Sequence, residues 1–263
     1  VLFDSRSKKV DLVIVRESTE GLFAHRSEGR VIDDRVALDT LEITRPVCER
    51  LFDFTFNLAR DRKSHGLPGT VTCVDKANVF RSMAFFRKIF DERAQLFPDI
   101  SVRYQYVDAM ALDLVRQPWE YDVLVMENMF GDILSDQGGG ILGSLGLMPS
   151  ACIGPEKSYY EPSHGSAPDI AGQGIANPYS MLGSVAMMLE MSFDMEQEAR
   201  NLWQAMQAVF SAGFTTPDLA RRGDDEKKIS TAEFGDKVVE ELDSMTGYTG
   251  QMQIFATDVT EKH

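Results

Sequence analysis

Four short apolar runs, each broken off at a charged or amide residue, set the frame for this chain. Val10–Val15 (VDLVIV) stops at Arg16, Thr70–Val74 at Asp75-Lys76, Ser101–Val107 at Asp108, and Tyr121–Met126 at Glu127-Asn128. Runs of this length and β-branched content read as strands, and continuous apolar ones as strands covered on both faces. Helical spacing fills the gaps between them. Thr40–Arg62 carries Leu41, Val47, Leu51, Phe54 and Leu58 on one stripe; Phe80, Met83, Phe86, Phe90, Ala94 and Phe97 form a second apolar face that reads as core. Ser27–Asp34 is polar and reads as a loop. Strand-then-helix alternation implies an α/β fold with a parallel or mixed layered sheet, and such sheets gather their strand ends along the edge where ligands bind. Arg16, Lys76, Asp108, Asn128 and Asp132 all lie just past strand ends.

The stretch Tyr121–Asp136 (YDVLVMENMFGDILSD) concentrates this chemistry. Its strand is broken by Asn128–Gly131, and Asp132–Asp136 reads as the opening turn of a helix. Residues four apart share a helix face, so both carboxylates point the same way. They are either an ordinary solvated helix start or two ligands of a shared cation, since neighbouring carboxylates repel without one. With Asp108 they make a set of hard oxygen donors, without His or Cys, that suits Mg²⁺ or Mn²⁺. A cation chelated by a 2-hydroxy acid acidifies the hydroxyl and stabilises the enolate left when a neighbouring carboxylate departs. Lys76 is placed to move the proton. Arg16 is a candidate anion ligand, or else a surface partner of Glu17 or Glu20.

Composition narrows the field. A formal net charge of −14 argues against a nucleic-acid partner, which needs a basic face. Cys48, Cys73 and Cys152 are scattered without a paired motif, which reads as reduced thiols in the cytoplasm. No apolar run is long enough to span a membrane. Gly138–Gly143 (GGGILG) matches a dinucleotide-binding pattern in form only, because the segment before it reads as helix where the motif requires a strand. Its glycines read as the end of a helix, and the composition shift over Gly143–Pro149 marks a domain boundary. Tyr159–Asn177 is a long loop rich in Gly, Pro and Ser, strand-like only at its start, and long loops in compact domains tend to be functional. Asn177-Pro178 then opens a helix. Met181–Met191 reads as buried helix, Glu196–Phe210 as amphipathic helix, Arg221–Lys228 as a solvated loop and Thr231–Leu242 as a last helix. The tail beyond Thr246 has no strong pattern.

Six segments carry a family resemblance: VIVRESTEGLF, VDKANV, YVDAMALDLV, MENMFGDILSDQGGG, GSLGLMPSA and EPSHGSAPDIAGQGIANP. Together they resemble the metal-dependent β-decarboxylating dehydrogenases, the isocitrate/isopropylmalate group, over about Val10 to Phe234. The resemblance implies NAD(P)-linked oxidation of a 2-hydroxy acid followed by decarboxylation, nearest to 3-isopropylmalate. It implies that Arg16 and Asn128 bind substrate, that Lys76 and Asp108 are catalytic, and that Asp108, Asp132 and Asp136 bind Mg²⁺ or Mn²⁺. It also implies a homodimer in which the equivalents of Lys76 and Asp108 come from the partner subunit. The loop Glu161–Asn177 is similar to the family's cofactor loop, with Glu161, His164, Gly165, Ser166, Ala167, Asp169, Ile170 and Asn177 as cofactor-binding positions. A carboxylate at Asp169 accepts from ribose hydroxyls and repels a 2′-phosphate, which implies NAD over NADP.

Two departures qualify the resemblance. The family carries a Tyr, whose hydroxyl assists protonation, where this chain has Phe23. The family's opening third has no counterpart in the sequence, so the expected architecture is a two-domain fold without its N-terminal segment. Residues 1–142 are expected to form the substrate, metal and dimer domain, and residues 143–263 the C-terminal part of the cofactor domain. Alternatives are a non-catalytic regulatory subunit of the same family, and a dehydrogenase of tartrate, D-malate or homoisocitrate. Phosphoryl chemistry on the same aspartates lacks a phosphate-binding loop.

Overall fold

The computed structural model describes residues 5–220 and 227–246. Most of the Arg221–Lys228 loop, and the tail beyond Thr246, lie outside the described residues. The chain divides into two compact units, Val1–Gly143 and Ser144–His263.

In the first unit, β1 (Val13–Arg16) leads to a hairpin, β2 (Arg30–Ile32) and β3 (Val36–Leu38), then to α1 (Arg45–Ser64), β4 (Thr70–Asp75) and α2 (Arg81–Ala94). There follow β5 (Ser101–Tyr106), α3 (Val107–Arg116), β6 (Val123–Met126) and α4 (Asn128–Leu142). Four strands form one sheet in the order β1-β6-β4-β5, and every pairing in it is parallel. Alternate residues then serve opposite faces. Val15, Val71, Cys73, Val123 and Val125 pack with Phe52 and Phe56 of α1 and Phe86 and Phe90 of α2. Val74, Leu124 and Met126 pack with Met110 and Leu114 of α3 and Phe130 and Leu134 of α4. Both faces are covered, so the continuous apolar run of β6 is entirely buried. Parallel strands also bring β1, β4, β5 and β6 to the same edge, which fixes the address of the polar residues that follow them.

Several expectations are corrected. Ser27–Asp34 is not simply a loop, because Arg30–Ile32 is a strand paired antiparallel with Val36–Leu38 across a turn at Asp33-Asp34. Both turn aspartates take positive φ (53° and 54°), and the β-branched residues on either side supply the strands. Helix α1 starts at Arg45 and not Thr40, with Thr44 in the cap position and Pro46 in the first turn, where its missing N–H costs nothing. Phe80 lies outside α2 and is exposed.

Helix α4 begins at Asn128, so Asp132 and Asp136 stand inside it and not at its opening. The reason is Glu127, whose side chain accepts from Phe130 N at 2.9 Å and Met129 N at 3.1 Å and so caps the helix four residues early. The helix also runs through Gly138–Gly140, and Gly143 ends it with φ 107°.

The second unit opens with the antiparallel pair β7 (Pro149–Ile153) and β8 (Ser158–Pro162), which packs on α5 (Tyr179–Phe193). Helix α6 (Glu196–Ser211), the short parallel strands β9 (Phe214–Thr215) and β10 (Lys227–Lys228), and α7 (Thr231–Thr246) complete it. Its core joins Ala186, Leu202, Ala205, Met206, Val209, Phe234 and Val238. Helix α5 is less buried than its sequence implies, since Met181 and Met191 are exposed. Among the described residues no helix is long and apolar enough to cross a membrane.

Candidate active site

The C-terminal ends of β1 and β6 are neighbours in register, Arg16 opposite Met126, so the residues after them meet. Arg16 turns to α4. Its Nε and Nη2 both donate to Asn128 Oδ1, at 3.0 and 2.7 Å, and its Nη1 donates to Asp132 Oδ1 at 2.7 Å. Asn128 is itself held, because its Nδ2 donates to the Glu20 carbonyl at 2.9 Å. The guanidinium therefore sits in a fixed plane, as recognition of a carboxylate requires. It does not pair with Glu17 or Glu20. Those carboxylates are buried and turned to the backbone: Glu17 accepts from Thr19 N and Glu20 N, and Glu20 from Thr44.

Two residues of this corner, Gly131 and Glu127, carry no site role in the sequence analysis. Gly131 lies so close to Arg16 that a Cβ there would meet Arg16 Cγ at 2.5 Å. Glu127, capping α4, is fully buried, and burial raises its carboxyl pKa, with Glu17 nearby adding to the effect. A glutamate ending a buried strand just before a helix was the signal available for it.

Asp132 and Asp136 project from one face of α4, and both are exposed. Their hard oxygen donors, open to solvent and one turn apart, fit a divalent cation. Asp108 does not join them within the chain, where no group of three or more His, Cys, Asp or Glu side chains among the described residues has a metal-holding arrangement. It instead pairs with Lys76, which follows β4, and the Lys76 ammonium holds the Asp108 carboxyl below its usual range. Phe23 lies beside the Arg16 corner, with its ring centre 6.0 Å from the guanidinium carbon.

In the second unit, Glu161 is exposed on β8, and its carbonyl accepts from Ser184 Oγ at 2.9 Å. His164 Nδ1 contacts the Gly165 carbonyl at 2.8 Å. A Cβ on Gly165 would meet nothing within 4 Å. Ser166, Ala167 and Asp169 are exposed, with Ile170 half-buried beside them. Ala167 holds a left-handed backbone, φ 44°, a strained conformation of the kind found at ligand sites. The Asp169 carbonyl accepts from Gln173 Nε2 at 2.7 Å, while its exposed carboxylate faces solvent. Asn177 is buried, and its Oδ1 accepts from Tyr179 N at 3.0 Å; α5 starts at Tyr179, with Pro178 and not Asn177 in the cap position. An exposed, backbone-rich loop leading into a helix fits an extended dinucleotide.

The cysteines are all free. Burial pushes the Cys48 thiol up to about 12 and holds the Cys73 thiol well above its ordinary value, so neither is a ready nucleophile.

The isocitrate/isopropylmalate dehydrogenase family model matches residues 3–238. The chain is 43% identical over 236 residues to 3-isopropylmalate dehydrogenase of Thermotoga maritima, covering 90% of this chain and 64% of that protein. It is 46% identical over 211 residues to 3-isopropylmalate/3-methylmalate dehydrogenase of Methanocaldococcus jannaschii, covering 80% and 62%. Isocitrate dehydrogenase from Methylococcus capsulatus superposes with a TM-score of 0.80 at 39% identity, covering 89% of this chain and 67% of that one. The chain thus spans less than two thirds of the length of the two curated relatives.

Proposed function

Because the chain belongs to the isocitrate/isopropylmalate dehydrogenase family, we propose that it serves NAD-dependent oxidative decarboxylation of a 2-hydroxy di- or tricarboxylic acid resembling 3-isopropylmalate. The observation that carries this reading is Arg16, locked by Asn128 and touching Asp132 just past the ends of the adjacent parallel strands β1 and β6. A bound Mg²⁺ or Mn²⁺ would supply Lewis acidity toward the hydroxyl and the developing enolate. The chain's own residues do the rest. Arg16 binds a substrate carboxylate and fixes its orientation. Asp132 and Asp136 present oxygen donors to the cation. Lys76 holds and moves a proton at Nζ, with Asp108 as its carboxylate partner. In the second unit the loop from Glu161 to Asn177 binds NAD, and Asp169 disfavours a 2′-phosphate by charge repulsion.

We assign the working form as a homodimer with a shared site, in a reducing cytoplasmic setting that suits three free thiols. Two observations support the dimer. Asp108 and Lys76 form a pair of their own, apart from the Arg16–Asp132 corner among the described residues, an arrangement that a second copy would complete as a carboxylate trio. The β2–β3 hairpin is exposed along both strands, with Val31, Ile32, Val36 and Leu38 open to solvent. An isolated two-stranded ribbon with this much apolar surface is marginal unless something covers it.

Phe23 favours a second reading, a regulatory subunit that retains ligands without turnover, because a phenyl ring donates no proton. One experiment separates the two. NADH formation is measured on the full-length protein with Mn²⁺ across isopropylmalate, isocitrate, homoisocitrate, tartrate and D-malate, with and without chelator. Chelator-sensitive turnover of one acid supports the enzyme. Binding of NAD and metal without turnover supports the regulatory subunit.

A further inference from the structure

Beside the proposed proton carrier runs a chain of contacts that the reaction as described does not use. Asp75, fully buried at the end of β4, accepts from Arg87 of α2 through both oxygens, Nε to Oδ2 at 2.7 Å and Nη2 to Oδ1 at 2.8 Å. This two-point contact with an immobile carboxylate fixes the guanidinium plane. Arg87 in turn faces two rings of the edge strand β5, Tyr104 and Tyr106, each with its centre 5.3 Å from the guanidinium carbon. Tyr104 is independently braced, its hydroxyl donating to Asp91 Oδ1 at 2.7 Å and its ring standing edge-on to Phe90. Tyr106 pairs with Asp75 in the β4–β5 register, which brings its ring to the row from which Lys76 emerges. The Lys76 ammonium lies 5.7 Å from the centre of that ring.

We infer that Tyr106 is a positioning residue for Lys76: its ring, held by Arg87 on the buried Asp75, sets where the lysine Nζ sits. The argument is one of competing tethers. A lysine side chain has four rotatable bonds and loses considerable rotamer freedom when held in one place. Its other partner, Asp108, is 68% exposed, so that pair is solvated and weak as an anchor. On the functional reading proposed above, on which this inference rests, Asp108 also serves the cation and is shared away from Lys76 during the reaction. The ring is then the tether that remains, and an aromatic face attracts an ammonium without offering it an acceptor for its proton. Placement matters because misplacing a reacting group by about 1 Å costs on the order of 100-fold in rate.

The test compares Tyr106→Leu with Tyr106→Phe in the full-length protein. The first readout needs no activity: the rate at which an amine-acylating reagent labels Lys76, by mass spectrometry, relative to Lys63 on α1. Removing the ring is expected to raise Lys76 labelling about fivefold, while the Phe variant matches the parent. In turnover, the Leu variant is expected to lose about 10-fold or more in kcat with KM for NAD and for the acid within about twofold, and Phe to restore kcat. Parental Lys76 labelling in the Leu variant, or equal losses in Leu and Phe, overturns the inference. If the parent turns over none of the acids, the functional reading fails and the labelling ratio alone decides the role of Tyr106.

Discussion

Arg16 Nη1 donates to Asp132 Oδ1 at 2.7 Å across 116 positions of sequence. The contact joins the proposed anion-binding group and a candidate cation ligand in one corner, so a hydroxy acid bridging cation and guanidinium would touch both. Asp132 is half exposed, and an exposed pair of this kind contributes only about 0–1 kcal/mol to stability. Asp132→Asn is therefore expected to fold normally yet lose most Mn²⁺ affinity and turnover. Calorimetric titration with Mn²⁺ checks this, and unchanged affinity would remove Asp132 from the cation site.

Gly131→Ala sets two effects against each other. Alanine gains about 1 kcal/mol of helix propensity over glycine, but its Cβ would strike the Arg16 stem at 2.5 and 2.6 Å, an overpacking worth about 1–3 kcal/mol. The clash involves Arg16 Cβ and Cγ, not a flexible tip, so it wins. We expect a modest net loss of stability and a KM for the acid raised about 10-fold, measured by initial rates alongside a melting curve.

Phe23→Tyr places a hydroxyl beside Arg16, whose guanidinium carbon is 6.0 Å from the ring centre. If proton delivery limits turnover, kcat should rise, by up to about 100-fold for a well-placed acid. A fall in kcat at unchanged stability would show that this corner is shaped around the phenyl ring.

Val31→Asp and Val36→Asp put charge on the exposed hairpin. Because both side chains are open to solvent, the effect on the fold of one chain should stay within about 0.5 kcal/mol. Association is a different matter, since a buried unpaired charge is costly at an interface. Sedimentation should show monomer, and turnover should vanish with it if the site is shared. A variant that remains dimeric would mean that the hairpin is not in the interface.

Glu127→Gln tests the buried cap. The carboxyl pKa is raised in the folded chain, so ionised Glu127 costs stability; the cost is full above the folded pKa and disappears as pH falls to the unfolded value. Phe130 N and Met129 N donate to different oxygens of Glu127, so the single glutamine carbonyl keeps only one of these bonds and the variant loses the other at every pH. Its stability relative to the parent should therefore be highest at pH 7, with that relative advantage shrinking toward pH 4. Denaturant melts across that range measure it, and an advantage that grows on acidification would reverse the assignment.

Much of this is legible in the sequence. Apolar runs ending at Arg16, Lys76, Asp108 and Asn128 mark strands whose ends share an edge, because strand and helix periodicities are local properties of the chain. The helix boundaries were less legible. Glu127 starts α4 four residues before the sequence pattern implies, because a side-chain cap depends on a single hydrogen-bonding geometry and leaves little periodic trace. The hairpin was missed for a similar reason. Three-residue strands carry almost no alternation, and its turn uses two aspartates at positive φ where glycine or asparagine is the usual signal.

By itself the sequence determined the α/β layering, the family and the inventory of reactive groups, since composition and period decide which surfaces must be buried. Only the tertiary structure decided their partners. Arg16 reaches Asn128 and Asp132 and not its neighbours Glu17 and Glu20, Lys76 pairs with Asp108, and Arg87 joins the buried Asp75 to Tyr106. Those pairings depend on strand order and register, which bring together residues far apart in the chain, and no local pattern encodes them.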